Sequence, residues 1–383
     1  MHEPIVNRGS QRSFFAYDAD MLNAPFFDPD KTYYENWEEG PFNGFADGVV
    51  MQVSPPRFSY LGYKISYPLG IAAGPLLNGK FVKAALEKSF DVPVYKTVRT
   101  RKKESNEWPN VLPVQVEGDL TIEKAAKGLT VKKEYSEPLA ITNSFGNPSY
   151  PVDIWQDDIR KLMEFAKTRP GQIVCGMIEG TKWEPAATED DFVNDWVLAA
   201  RLMKEAGVHA IEANFSCPNE GDRVKKLLCY DAEMGKKISV AIKKEIGDVP
   251  LVIKISYFES EEELRDVVQN VGPFVQGIAA INTIPAAVYK ENGEQALPGG
   301  PWRLKSGICG YPIKWAGLEM VRRLKKLREE FTMDFDIVGV GGVTVPADFK
   351  EYRDAGADLV MTATGAMWNS YLARDIKTAY PDA

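Results

Sequence analysis

Histidine is almost missing from this chain: His2 and His209 are the only two among 383 residues. Histidine-based metal clusters and a Ser–His–Asp triad are thereby nearly ruled out, and no metal site is expected. Acid–base chemistry then falls to Cys, Lys, Asp, Glu or Tyr. His209 stands just before an apolar run and reads as structural. Cysteine is scarce too: Cys175, Cys217, Cys229 and Cys309 follow neither metal-ligand spacing nor a disulfide framework. Reduced thiols and a cytoplasmic setting are the expectation. No stretch approaches the ~20 apolar residues of a membrane span, and the opening MHEPIVNRGSQRSFF lacks the apolar core of a signal peptide. No membrane partner is expected. An excess of positive charge is also absent, since 46 basic and 54 acidic side chains leave a net charge of −8. Nucleic-acid binding needs a basic footprint, so no such partner is expected. The local run with Arg99, Arg101, Lys102 and Lys103 reads mostly as a solvated loop.

What the chain does have is apolar residues, 44% of the total, enough for a large core. Residues 1–60 form a distinct opening segment, rich in Phe, Tyr, Asp, Asn and Pro, without a helical period. It is expected to wrap a barrel or cover its mouth. From residue 61 to 383 the pattern predicts one domain of short apolar strands alternating with amphipathic helices. The strands fall at 69–73, 93–98, 172–178, 210–216, 250–256, 278–284, 336–341 and 358–363. Several are apolar throughout, as strands buried on both faces are. Residues 189–206 place Phe192, Trp196, Ala199 and Met203 on one helical stripe, with Gly207 as a stop. Ser260 with Glu263 predicts a capped helix start. Eight strands separated by helices fit a closed (β/α)8 TIM barrel better than an open doubly wound sheet. A long excursion, 99–171, separates the second and third strands, and excursions of that length are usually functional.

Barrels of this kind carry their active sites at the carboxyl ends of the strands. The polar residues there are Lys96, Asn214, Cys217, Lys254, Ser256, Asn282 and Thr283, with Asn143 added from the excursion. Glycine-rich turns follow strands seven (Gly341, Gly342) and eight (Ala363, Thr364, Gly365). Such turns let backbone N–H groups approach a phosphate closely. No GxGxxG spacing lies between the first strand and a helix, which favours a mononucleotide such as FMN over NAD as resident cofactor. Lys254 interrupts an apolar strand, and a buried ammonium calls for an anion, either a reduced flavin or a nearby carboxylate. Lys96 poses the same question. Cys217, at a strand end between Asn214 and Asn219, is placed to act as a proton-transferring base. Cys175 and Cys229 read as buried and inert, and Cys309 is ambiguous.

Nine pieces in order now resemble a known family. They are LGIAAGP (69–75), YKTV (95–98), NSFGNPS (143–149), NFSCPN (214–219), VIKIS (252–256), INTI (281–284), SGICGYPIKW (306–315), VGVGGV (338–343) and TATGAM (362–367). Together they resemble the dihydroorotate dehydrogenases, closest to the soluble class 1 enzymes that use a cysteine base. The resemblance implies FMN as cofactor and oxidation of dihydroorotate to orotate in pyrimidine biosynthesis. Cys217 would remove the C5 proton while hydride passes from C6 to flavin N5. Asn143, Asn214, Asn219 and Asn282 would hold the pyrimidine, and backbone at Phe145 and Gly146 its carboxylate. Lys96 would lie near both flavin and substrate, and Thr283 near substrate and the ribityl chain. Ala73, Gly74, Lys254, Gly307, Gly341, Gly342, Ala363 and Thr364 would hold the flavin, with Asn143 and Asn214 also bordering it. Residues 218–227 would form a lid. A soluble electron acceptor and a homodimer are implied as partners. The chain departs from the family pattern at Asn147, where the soluble class usually has an apolar residue. It departs again in the opening segment, the long excursion and the Ala-Thr of the strand-eight turn. The alternatives are a related FMN enzyme acting on another dihydropyrimidine or cyclic enoate, and, more remotely, a tRNA dihydrouridine synthase, against which the acidic balance speaks.

Overall fold

Strands that are apolar on both faces need a neighbour on each edge and packing on each side, and a closed parallel barrel gives every strand both. The computed structural model of the chain, which describes residues 22–216 and 227–383, contains such a barrel. Its strands are β1 Leu69–Ile71, β2 Val92–Val98, β3 Cys175–Ile178, β4 Ala210–Asn214, β5 Leu251–Ile255, β6 Gly277–Ala280, β7 Asp336–Val340 and β8 Leu359–Thr362. Each pairs in parallel with its sequence neighbours, and β8 closes on β1. All eight expected strands are present, and the fold is a (β/α)8 TIM barrel. The register sets Asn214 of β4 beside Lys254 of β5, so two polar residues predicted for the site meet at one point of the rim.

The outer layer consists of α1 Gly79–Glu87, α2 Val152–Ala166, α3 Glu189–Ala206, α4 Ala232–Ile246, α5 Glu261–Val271, α6 Lys314–Glu330, α7 Pro346–Ala355 and α8 Leu372–Ala379. The α3 helix shows how local sequence fixes these elements. Thr188 and Asp191 cap its start reciprocally, and Gly207 ends it in the left-handed region at φ 91°. Trp196, Ala199 and Met203 are buried on the inward stripe, whereas Phe192 is half-buried and meets Trp196 edge-on. At the start of α5 the Ser260 hydroxyl accepts the Glu263 N–H. Among the described residues no helix is long and apolar enough to cross a membrane.

Small and branched side chains, including Val94, Cys175, Ala210, Val252, Ala279 and Val338, fill the barrel interior together with Met361. A hairpin of Phe58–Tyr60 and Tyr63–Ile65 closes the amino end, burying Tyr60, Leu61 and Ile65 in the same cluster. The Leu61 N–H donates to the Asp336 carboxylate at 2.7 Å. Residues 22–45 lie at the opposite end, where Phe27 and Tyr33 both meet the Phe145 ring edge-on. They include a short helix, Tyr33–Glu39, that the sequence reading did not anticipate; a Thr32–Glu35 capping box starts it.

Two excursions meet over the mouth. The expected strand 278–284 is cut short, because β6 ends at Ala280 and Ile284 opens a new strand outside the barrel. The reason is loss of neighbours: β5 stops at Ile255 and β7 at Val340, and the chain's last bonds to them come from Asn282 and Ile281. Ile284–Tyr289 pairs instead with Lys305–Gly310, and both join Leu129–Thr130 and Ala140–Asn143 of the 99–171 excursion in a four-stranded sheet. Buried Arg303 ties the two excursions together by donating to the carbonyls of Glu107, Pro109 and Ser144.

The Trp196 ring packs edge-on to Phe215 at 5.4 Å, which anchors the end of β4 to α3. Trp196→Ala is expected to lower unfolding free energy by roughly 3–5 kcal/mol. The drop should appear as a lower urea midpoint with an unchanged slope; a midpoint equal to that of the parent protein would contradict this packing.

Candidate active site

The carboxyl ends of the strands open into a cleft of about 650 Å³, counting the space that communicates with solvent. Lys96, Asn143, Asn214, Lys254, Asn282 and Thr283 line it, with Ala73, Gly74 and Ala363. An apolar pocket of about 370 Å³ adjoins it and shares Gly74, Asn143, Cys309 and Ala363; Phe145 and Thr364 border that second space. Gly146, Gly307, Gly341 and Gly342 line neither, and instead shape the surrounding loops. Gly342 has φ 70°, and a Cβ there would lie 2.6 Å from that of Lys314, so the turn after β7 rests directly on the start of α6. Cys217 and Asn219, and residues 218–226 of the expected lid, lie outside the described residues.

The two lysines are held differently. Lys96 is buried, donates to the Gly74 carbonyl at 2.8 Å and lies 5.0 Å above the Phe145 ring. Lys254 is buried 3.7 Å from Glu212, a β4 residue on the barrel side of Asn214. Burial pushes the Lys254 ammonium below its usual range and the Glu212 carboxyl above its own, and each partner's charge opposes the other's shift. Lys254 thus has a carboxylate partner, the second of its two expected anions, and it also lines the cleft.

A second buried pair was not legible as part of the site. Arg99, expected in a solvated loop, is fully buried, while Arg101 and Lys102 are exposed as expected. Its guanidinium donates to Glu179 at 2.7 Å. Glu179 follows β3 directly and is itself buried. The other Glu179 oxygen accepts from the side-chain amides of Asn214, at 3.1 Å, and of Asn147. The Asn214 carbonyl oxygen in turn accepts the Ser216 N–H and hydroxyl, and the Asn282 amide donates to the Ser216 carbonyl at 2.9 Å. One hydrogen-bonded chain thus runs from the end of β2, across β3 and β4, to the loop after β6. Glu179 could have been found by the rule that found Lys96, as the first polar residue after an apolar run.

Among the described cysteines, only Cys309 borders the cleft, and burial pushes its thiol up to about 11. Cys175 sits in the barrel interior, where burial drives its thiol far above the ordinary range. Among the described residues no group of His, Cys, Asp and Glu could hold a metal ion. His209 accepts the Val174 N–H through its ring nitrogen at 3.0 Å, below the barrel and away from the cleft.

A family model described as dihydroorotate dehydrogenase matches residues 57–380. A dihydroorotate dehydrogenase of Dictyostelium discoideum is 34% identical over 92% of this chain and 96% of its own length. A dihydroorotate dehydrogenase (quinone) of Aliivibrio salmonicida is 27% identical over 88% of this chain and 90% of its own. The catalytic subunit of a dihydroorotate dehydrogenase B (NAD(+)) from Oceanobacillus iheyensis is 27% identical over 48% of this chain and 57% of its own.

The Lys254–Glu212 pair yields a test with a definite sign. Lys254→Ala leaves the Glu212 carboxyl buried without its countercharge, which costs about 3–5 kcal/mol when that carboxyl is ionised. A buried carboxyl has a folded pKa raised above the unfolded value of about 4.3. The penalty is therefore absent below the unfolded value and grows as pH rises toward the folded one. Urea unfolding of Lys254→Ala should show a larger deficit at pH 8 than at pH 5, and Glu212→Gln added to it should remove the difference. An equal deficit at both pH values would refute the pairing.

Proposed function

Because this chain belongs to the dihydroorotate dehydrogenase family, and is an oxidoreductase of that family, we propose that it oxidises dihydroorotate to orotate with FMN as its resident cofactor. The observation that carries this reading is the convergence of Lys96, Asn143, Asn214, Lys254 and Asn282 on one cleft from five separate parts of the chain. Side-chain amides present both donors and acceptors, as the edge of a cyclic ureide requires. The two buried ammonium groups favour negative charge, on a substrate carboxylate near Lys96 and on the cofactor near Lys254.

The residues present fit a flavin. Nothing stands within 4 Å of the place where a Gly74 side chain would project, so the cleft floor is open there. The Thr283 hydroxyl is buried without a hydrogen-bond partner among the described residues, which leaves it for a bound group. The turns at Gly341–Gly342 and Ala363–Thr364 would hold the phosphate, and Ala73, Gly307 and Lys254 the remainder. When bound, FMN supplies the hydride acceptor.

The chain's own contribution is to orient the ring and to move one proton. We assign the proton to Cys217. Ser216, its neighbour in sequence, is bonded to both Asn214 and Asn282, which ties the preceding backbone to two ring-holding amides. Cys309, which borders the cleft, has its thiol pushed up by burial to about 11 and serves poorly as a base. Asn219 is assigned to the ring as the fourth asparagine, and backbone at Phe145 and Gly146 to the substrate carboxylate. A soluble electron acceptor and a cytoplasmic setting complete the proposal.

The decisive measurement is the absorption spectrum of the purified protein before and after anaerobic dihydroorotate. Bleaching of a yellow flavin is expected; bound flavin that stays oxidised would reject dihydroorotate as substrate. Cys217→Ala should keep its yellow flavin and lose turnover by about 10²–10⁴-fold, the usual share of a positioned base. Cys217→Ser should be slow and gain with rising pH. Normal turnover by the alanine variant would remove Cys217 from the mechanism.

A further inference from the structure

Side chains along a strand alternate between its two faces, so Ala210, Glu212 and Asn214 of β4 point the same way. Ala210 packs in the barrel interior and Asn214 lines the cleft, which sets Glu212 between them, one layer below the cleft floor. Its strand neighbours in that layer are Met177 of β3 and Val252 of β5, both apolar. The carboxylate is buried, and its Oε1 accepts no hydrogen bond among the described residues. Its ion pair is with Lys254 Nζ, at 3.7 Å.

An ion pair so placed needs a reason, because burying one seldom adds stability over apolar residues of the same size. The other titratable groups that share this interior bring no charge. Burial drives the Cys175 thiol and the Tyr60 phenol far above their ordinary ranges, and the negative charge of Glu212 adds to both shifts. Glu212 does not border the cleft, whereas Lys254 does. The carboxylate can therefore reach a bound group only by what it does to the field of the ammonium. Two anions then compete for one cation. Glu212 holds Lys254 from below at all times. On the cleft side, a hydride delivered to bound FMN brings two electrons and one proton and leaves the cofactor one unit more negative. A fixed negative charge beneath the ammonium weakens the pull that the new charge feels.

With FMN taken as the resident cofactor, as proposed above, we propose that Glu212 is a positioning residue that acts through Lys254 to hold the reduction potential of the bound flavin down. The ammonium alone would stabilise the reduced cofactor strongly and make it a reluctant donor to the next acceptor. The carboxylate offsets that pull, so binding of the cofactor keeps its cation while the electrons stay transferable. Charge near the reactive ring is one of the means by which a protein tunes a flavin.

The test compares the FMN-loaded parent protein with Glu212→Gln, which keeps the shape and removes the charge. The midpoint potential is read against a reference dye during anaerobic reduction with dithionite, and sulfite affinity by the loss of flavin absorption on titration. In Glu212→Gln the equilibrium constant for two-electron reduction should rise about tenfold, a midpoint about 30 mV higher, and sulfite should bind about tenfold more tightly. Tyr60→Phe removes a neighbouring polar atom without changing charge and should match the parent in both. Should Glu212→Gln fail to fold or to hold flavin, Glu212→Met takes its place, since an unbranched apolar chain suits the layer of Met177 and Val252. An unchanged potential in the charge-free variant overturns the proposal. A lower potential overturns it as well, because Glu212 would then act by keeping Lys254 protonated. An equal rise in Tyr60→Phe would assign the effect to packing and overturn the role of charge. Neither readout uses dihydroorotate, so failure of that substrate shows separately in the bleaching experiment. A protein that binds no FMN overturns the cofactor reading, and this proposal with it.

Discussion

Glu179 has two oxygens and almost no water to satisfy them, and the mouth of the barrel is arranged around that demand. Arg99 takes one oxygen, and the amides of Asn214 and Asn147 share the other. A buried carboxylate left unpaired costs several kcal/mol, so none of these donors is free to turn away. The consequence spreads outward through bonds. Fixing Asn214 fixes Ser216, and Ser216 receives Asn282 from the far side of the cleft. Parts of the chain more than 180 residues apart thus answer to one charge.

The same logic separates the two lysines. Lys254 has a carboxylate beneath it at 3.7 Å, a longer separation than a good charged hydrogen bond. The Glu212 oxygen nearest it makes no hydrogen bond among the described residues. The pair is balanced in charge yet incompletely satisfied, which leaves the ammonium able to respond to a further anion on the cleft side. Lys96 donates to a neutral carbonyl instead, and its charge spreads over the Phe145 face. One cation is tethered to the barrel core and the other to the loops that cap it.

The barrel was readable because its strands are short, apolar on both faces and separated by helices with clear caps. Those signals are local, and each survives without knowledge of its neighbours. The four-stranded sheet over the mouth was not readable. Leu129–Thr130 and Ala140–Asn143 are too short to declare themselves, and they become strands only by pairing with residues 284–310. Arg99 failed for a related reason: in sequence it sits in a basic run, and only the fold brings Glu179 to it from 80 residues away. The cleft residues at strand ends were legible because polar side chains interrupting apolar runs demand explanation. Asn147 was legible only as a departure from a family pattern, and its meaning depends on a carboxylate that the sequence does not place beside it.

The capping segments follow from the polar chain beneath them. A hydrogen-bonded network in a low-dielectric site is strong when every member is satisfied, and it weakens when water competes for its donors. An open barrel mouth would admit that competition. The excursion at 99–171, the strands at 284–310 and the aromatic residues Phe27 and Tyr33 cover the same end of the barrel as the Arg99–Glu179 pair. Arg303, whose charge is spent on backbone carbonyls, binds two of those pieces together without any part in the cleft. Beneath these segments Arg99 and Glu179 are both buried from solvent. Variants that loosen Arg303 should reach the cleft through Ser144, because Ser144 bonds to Arg303 and is adjacent in sequence to Asn143.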